Sequence, residues 1–219
     1  MILVPVKNLG NAKQRLAAVL DPGERFALAE AMLHDVLSTL ARCSRRDEVA
    51  LVTSDRRAVQ MAAALRFHVI KDAANHGESE AIAMATRVCV KRGPPYTLVL
   101  PGDIPLITVD EVEAILAAAP DSFGAVLAPS ASGRGSNAVL RRPADLFPLR
   151  FGNDSFQPHL AAARATGQPV TVLQLPGIGL DVDDPADLVA LLMAEGDTRA
   201  QRLLRQWNVA KRLLAAAHG

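Results

Sequence analysis

Short apolar runs alternate with longer Ala- and Leu-rich stretches of helical period along most of the chain. Ile2–Val6, Val49–Thr53, His68–Lys71 and 97–100 read as strands. Helices are predicted between them over Pro22–Leu40, 55–65 and 78–91, and after them over 108–118. Asp21 stands where an N-cap belongs, with Pro22 at the first helical position. Thr108, with Glu111 three residues on, makes a capping box. Gly93-Pro94-Pro95 ends the third helix. Beyond residue 120 the pattern gives strands at 125–128 and 137–141 around a polar loop, a helix at 155–166, a strand at 170–175 and a helix over Pro185–Met193. Strands that alternate with helices of ten or more residues predict an α/β fold, a mostly parallel sheet covered on both faces. Residues 198–217 read as one amphipathic helix whose apolar face is Leu203, Leu204, Trp207, Leu213 and Leu214. The expected organisation is a domain over 1–196 and a helical extension over 197–219, packed on the domain or on a partner subunit.

Composition narrows the class. A chain of 219 residues, 50% hydrophobic and 21% charged, has enough apolar side chain for one sizeable core. Aromatics are only 4%, so Ala, Leu and Val must build that core. Lys plus Arg is 24 against 23 Asp plus Glu, a balance that argues against nucleic acid or an anionic membrane as partner. No apolar run approaches the ~18 residues of a membrane span. The opening MILVPVKNLG lacks the pattern of a signal peptide. Cys43 and Cys89 stand alone, without a metal-knuckle or catalytic pattern. They are expected as reduced core thiols of a cytoplasmic protein.

Ligands of open α/β sheets bind beyond the carboxyl ends of the strands. The first strand runs into Lys7-Asn8-Leu9-Gly10-Asn11-Ala12-Lys13-Gln14-Arg15. Backbone N–H groups and three cations there suit a triphosphate, although a solvated basic loop has the same composition. The glycine spacings of a Walker A loop and of a dinucleotide fingerprint are absent. The strand at 97–100 delivers Asp103 through Pro101-Gly102, where Mg²⁺ between nucleotide phosphates is commonly held. In Leu180-Asp181-Val182-Asp183-Asp184-Pro185, Asp181 and Asp183 alternate on a strand-like stretch and are expected to point the same way. Two such carboxylates repel unless a cation lies between them. Asp184 reads as the next helix's N-cap, and Asp187 as its first-turn carboxylate. Two small-residue loops, Ser132-Gly133-Arg134-Gly135-Ser136-Asn137 and Phe151-Gly152-Asn153-Asp154-Ser155-Phe156, offer donors to a phosphate or carboxylate. Turns have the same make-up. His159 lies one turn into the following helix, near enough to approach the same pocket, with a packing role equally open. A cationic loop, acidic metal candidates and two anion-holding loops together suit metal-assisted nucleotidyl transfer.

Those residues also carry a family resemblance, covering nearly the whole chain from Val4-Pro5-Val6-Lys7 to Asp187-Leu188. Phe151-Gly152-Asn153-Asp154-Ser155-Phe156 with His159 resembles the FGxxSF…H segment of the CofC/FbiD guanylyltransferases. Leu180-Asp181-Val182-Asp183-Asp184-Pro185 is similar to their LDxDxP segment, Gly135-Ser136-Asn137-Ala138 to their GTNA stretch, and Gly102-Asp103-Ile104-Pro105 to their ADLP stretch. The resemblance implies a three-layer Rossmann-like nucleotidyltransferase fold of the GT-A type. It implies transfer of GMP from GTP to 2-phospho-L-lactate, phosphoenolpyruvate or 3-phospho-D-glycerate, with pyrophosphate release, in assembly of the deazaflavin redox coenzyme. Asp103, Asp181 and Asp183 would bind Mg²⁺ and be catalytic. Lys7, Lys13 and Arg15 would hold the GTP phosphates, and Ser136, Asn137, Gly152 and Ser155 the acid. A homodimer, and hand-over of product to a downstream transferase, are compatible with that chemistry. The segment His76-Gly77-Glu78-Ser79-Glu80-Ala81 departs from the family, lacking its common Gly-Leu-Asn. Two other readings of the same residues are a sugar-phosphate or molybdopterin-type nucleotidyltransferase and a non-catalytic nucleotide-binding module.

Overall fold

A computed structural model describes residues 1–72, 77–152 and 154–216; His76 and Asn153 of the motifs above lie outside them. The elements are β1 (Ile2–Val6), α1 (Pro22–Leu40), β2 (Val49–Thr53), α2 (Arg56–Leu65), β3 (His68–Lys71), α3 (Glu78–Arg92), β4 (Thr97–Val99) and α4 (Val109–Ala117). They continue with β5 (Gly124–Pro129), β6 (Ser136–Arg142), α5 (Phe156–Ala165), β7 (Val170–Val172), α6 (Pro176–Gly179), α7 (Pro185–Met193), α8 (Arg199–Gln206) and α9 (Val209–Ala216). The strands form one sheet in the order β3-β2-β1-β4-β6-β5-β7. Only β6 runs antiparallel to its neighbours, β4 and β5. The mostly parallel α/β reading is therefore correct. After β1 the chain adds β2 and β3 on one side, then crosses to put β4 on the other. The carboxyl ends of β1 and β4 thus flank a topological switch point, where such sheets open a crevice.

Alternation along the strands makes the three layers. Ile2, Val4 and Val6 of β1 face Leu33, Val36, Leu37 and Leu40 of α1. Leu3 points the other way, into a cluster with Ile82 and Ala85 of α3 and Leu160 and Ala163 of α5. Both faces are dry, so these strands carry apolar residues at nearly every position. The predicted caps are in place. Asp21 and Glu24 form a full capping box on α1, as do Thr108 and Glu111 on α4. Cys43 and Cys89 are buried thiols. Among the described residues, no helix is long and apolar enough to cross a membrane.

Two expectations need correction. The strand at 170–175 ends at Val172, and Pro176 starts the short α6. The tail is two helices rather than one, because Asn208 takes a left-handed conformation (φ 54°) that stops α8. The break turns α9 away from the line of α8. Leu204 is fully buried against Leu28 and Met32 of α1 and Leu188 and Leu191 of α7, whereas Leu214 is 64% exposed. Asp35 of α1 anchors the start of α8, its carboxylate accepting from the N–H groups of Arg199 (3.0 Å) and Ala200 (2.9 Å). These donors have no partner within their own helix. Asp35→Ala is expected to cost about 1–2 kcal/mol, as loss of a helix cap does. For a chain of this size that lowers Tm by roughly 2–8 °C. A melting curve by circular dichroism checks this, and an unchanged Tm would remove Asp35 as the anchor.

Candidate active site

The loop leaving β1 is built of two tight helical turns, Leu9–Asn11 and Gln14–Leu16, joined at Lys13. Lys13 holds a left-handed backbone (φ 57°), uncommon outside glycine. Its side chain is 7% exposed and ends between two carboxylates, with Nζ 2.6 Å from Asp103 Oδ2 and 2.9 Å from Asp183 Oδ1. Burial alone pulls an ammonium's pKa down. Asp103 and then Asp183 outweigh that pull and hold Lys13 above the ordinary lysine value. The backbone supports the junction, since the Val182 N–H donates to the Asp103 carbonyl at 3.1 Å. Asp184 caps α7, and Asp187 accepts from the N–H groups of Asp183 and Asp184 at 2.8 Å. Both have the structural roles expected of them.

Asp181 behaves differently from Asp183. Its Oδ1 accepts from Asn137 Nδ2 at 2.9 Å, and the same Nδ2 reaches the carbonyls of Ile178 (2.9 Å) and Gly179 (3.2 Å). Burial raises the Asp181 carboxyl, with the Asn137 bond opposing. Residues 180–183 form no strand, so the alternation that would aim Asp181 and Asp183 together does not apply. Among the described residues, no three His, Cys, Asp or Glu side chains group closely enough for one ion. Asp181, bonded to Asn137, lines one chamber with Asp103 and Asp183, and the latter two converge on the Lys13 ammonium. That pair fits a hard divalent cation, because two carboxylate oxygens already converge on one cation position. Asn137, expected at the acid, braces α6 and Asp181 and also lines the chamber.

Two chambers meet at this junction. One, of about 560 Å³, follows β1 and is lined by Lys7, Asn8 and Lys13 on one side and by Ala29, Met32 and Leu33 of α1 on another. The other, of about 540 Å³, gathers Arg15, Ser136, Asn137, Gly152, Ser155 and Asp181. Glu78, Pro101, Asp103 and Asp183 line both. The cations expected to act together are therefore divided, Lys7 and Lys13 on the first chamber and Arg15 on the second. The four residues expected at the acid do converge.

Glu78, the first residue of α3, was not among the expected site residues. Burial, with the like charges of Asp103 and Asp183, pushes its carboxyl up to about 7, against the pull of Lys7 and Lys13. The strand-end rule applied to the sequence that follows β3 points to Glu78.

The second chamber rests on hydrogen bonds through β6 and α5. The Ser136 N–H donates to Ser155 Oγ at 3.0 Å. His159 Nδ1 lies 2.9 Å from Ser136 Oγ, and the Arg150 N–H donates to His159 Nε2 at 2.9 Å. Phe151 meets the imidazole edge-on, with ring centroids 5.1 Å apart, and its N–H donates to Ser79 Oγ of α3. On the exposed rim Arg134 pairs with Asp154 through two bonds of 2.6 and 3.3 Å.

A chamber with two lysines and one with small hydroxyls thus meet at a carboxylate pair. The sequence of residues 1–215 matches the family described as "Guanylyl transferase CofC like". The chain belongs to that family. It is thus an enzyme of the nucleotidyltransferase type. A phosphoenolpyruvate guanylyltransferase of Sphaerobacter thermophilus is 38% identical over 189 residues, 86% of this chain and 90% of that protein. A 2-phospho-L-lactate guanylyltransferase of Methanothermobacter thermautotrophicus is 32% identical over 206 residues, 93% of this chain and 89% of that protein. Among solved structures, a putative nucleotide-diphospho-sugar transferase from Desulfovibrio desulfuricans superposes with a TM-score of 0.79. It is 21% identical and covers 98% of this chain and 96% of its own, so it speaks to the fold alone. A CMP:2-keto-3-deoxy-manno-octonic acid synthetase has the same fold at a TM-score of 0.57 and 15% identity, covering 87% of this chain and 95% of its own.

For this family member, one glycine governs the Asp181 side of the site. A Cβ on Gly177 of α6 would lie 2.3 Å from the Leu106 carbonyl oxygen. The Gly177 N–H also donates to Glu111 Oε1 at 2.6 Å. Gly177→Ala is expected to push α6 outward, dragging the carbonyls that brace Asn137. Overpacking of this kind costs about 1–3 kcal/mol. Calorimetry should read it as a lower Tm, and an unchanged Tm would show that α6 yields freely.

Proposed function

We propose that the protein transfers GMP from GTP to a small phosphorylated three-carbon acid and releases pyrophosphate. The observation that carries this reading is the junction itself, where Lys13, Asp103 and Asp183 meet between a nucleotide-sized chamber and an anion-holding one. Relatives named for phosphoenolpyruvate and 2-phospho-L-lactate support the acceptor class. 3-Phospho-D-glycerate belongs to the same class by the family resemblance, as does a place in assembly of the deazaflavin redox coenzyme.

GTP occupies the β1 chamber in this reading, its phosphates facing Lys7 and Lys13 and the rest against the apolar wall of α1. The acid occupies the second chamber, against Ser136, Gly152 and Ser155. Its phosphate is already an anion at neutral pH, so no general base is needed. One of its oxygens bonds to the α-phosphorus, the bond from that phosphorus to the bridging oxygen breaks, and pyrophosphate leaves. Asp103 and Asp183, with Asp181 on the same chamber, would hold Mg²⁺, which when bound supplies neutralisation of the triphosphate and of the leaving charge. The residues themselves supply position and a preorganised field.

A pyrophosphate-release assay tests the reading. GTP and Mg²⁺ are supplied with phosphoenolpyruvate, 2-phospho-L-lactate and 3-phospho-D-glycerate in separate reactions, and each product is weighed by mass spectrometry. Turnover with one acid is expected. Silence with all three, from folded protein that binds GTP, would sink the phosphoacid reading and favour a sugar phosphate or a non-catalytic nucleotide-binding role.

A further inference from the structure

We propose that His159 is a positioning residue that fixes the hydroxyls of Ser136 and Ser155 as a pair of donors facing the second chamber. The chamber is thereby a receptor for a fully ionised group of the acceptor. This rests on the acceptor reading above, and goes beyond it by assigning which protons point where.

The argument begins at Arg150, whose backbone N–H can only donate. It meets His159 Nε2 at 2.9 Å, so Nε2 is the acceptor. A neutral imidazole then carries its proton on Nδ1, 2.9 Å from Ser136 Oγ. His159 is 1% exposed. Burial, joined by the positive charge of Arg141, holds its pKa down at about 4, which keeps the ring neutral near pH 7. Phe151 against the ring edge and the bond from its N–H to Ser79 keep the imidazole in place.

The next two links follow from hydroxyl chemistry. Ser136 Oγ accepts from Nδ1–H, so its own proton points elsewhere. Ser155 Oγ accepts from the Ser136 N–H at 3.0 Å, so its proton also points away from that bond. Among the described residues, neither hydroxyl donates to a protein acceptor. Both residues line the second chamber, which gives their protons an outlet there. With the imidazole in the other tautomer, Ser136 would donate to Nδ1 and turn lone pairs toward an anion. The buried histidine thus sets the polarity of the cradle without touching the ligand.

The test separates this role from folding and from turnover. Nitrogen-15 NMR of the imidazole in the nucleotide-free wild-type protein should show the proton on Nδ1 and a bare Nε2 at neutral pH. Calorimetric titration then measures binding of phosphoenolpyruvate, 2-phospho-L-lactate, 3-phospho-D-glycerate and inorganic phosphate in Mg²⁺ buffer. His159→Phe and His159→Gln are expected to weaken phosphoacid binding about 10- to 100-fold, the worth of a lost hydrogen bond to a charged group. His159→Asn, whose amide N–H falls near the place of Nδ1–H, should stay within about threefold of wild type on the same scale. GTP affinity should stay unchanged in all three. A proton on Nε2, wild-type affinity in folded His159→Phe, equal losses in His159→Asn and His159→Phe, or a wild-type protein that binds none of the four anions would each overturn the proposal. If His159→Phe does not fold, the tautomer and the Asn–Gln contrast still decide it. Binding that follows this pattern without any pyrophosphate release supports the cradle and overturns guanylyl transfer.

Discussion

Asp103→Asn is expected to lower kcat for GMP transfer by about a thousandfold or more, the scale of losing a charged group that acts on developing charge. The fold should stay intact. The amide is the same size as the carboxylate, and the bond that ties this segment to Val182 uses the Asp103 backbone carbonyl, which the substitution leaves alone. Asp103 is also about one-third exposed, so little packing depends on its charge. What disappears is one of two hard anionic oxygens at the cation position, together with half of the charge that holds Lys13. Pyrophosphate release at saturating GTP and acid, set beside a melting curve, reads both effects. A variant with wild-type Tm and more than roughly a tenth of wild-type turnover would take Asp103 out of the reacting centre, because a group worth less than about 1.4 kcal/mol is not holding the transition state's charge.

Much of this site could be read from local sequence, and the reason is that caps and strand ends are local features. Asp21 with Glu24, Thr108 with Glu111, and Asp184 with Asp187 are satisfied within four residues, so composition and spacing suffice to find them. The ends of β1 and β4 follow from runs of apolar residues, and with them come Lys7, Lys13 and Asp103. The partners of Lys13 are another matter. Asp103 lies 90 residues away and Asp183 lies 170 away, and only the sheet order brings them to one point. The same holds for Asn137 and Asp181, 44 residues apart. Residues 180–183 form no strand, yet Asp181 and Asp183 both line the second chamber, Asp181 held there by its tie to Asn137. Glu78 follows β3 and is within reach of the strand-end rule, whereas its burial beside Asp103 and Asp183 is visible only in the fold. The apolar spacing of the tail is helical throughout and predicts one helix. A single left-handed Asn208 interrupts it, and asparagine reaches that conformation at low cost.

Lys13→Met should move two quantities in opposite directions. The ammonium of Lys13 stands where Asp103 and Asp183 converge, at 2.6 and 2.9 Å. The proposed divalent ion would compete with it for the same oxygens, and Lys13 would then be a placeholder cation. Methionine keeps most of the stem's volume and removes the charge. Binding of Mn²⁺ to the nucleotide-free protein, followed by electron paramagnetic resonance, is expected to tighten about tenfold, the equivalent of one charge-assisted hydrogen bond of about 1.5 kcal/mol. Over the same substitution kcat/KM for GTP should fall about a hundredfold, because a cation released toward the triphosphate is missing. Lys13→Arg should not restore it. A guanidinium is a planar fork rather than a point charge, and this side chain is enclosed, 7% exposed, on a left-handed backbone with little freedom to shift. A general loss of folding would weaken both quantities together. Equal Mn²⁺ affinity in wild type and variant would show that the lysine and the metal do not share a position, and would leave Lys13 as a phosphate ligand alone.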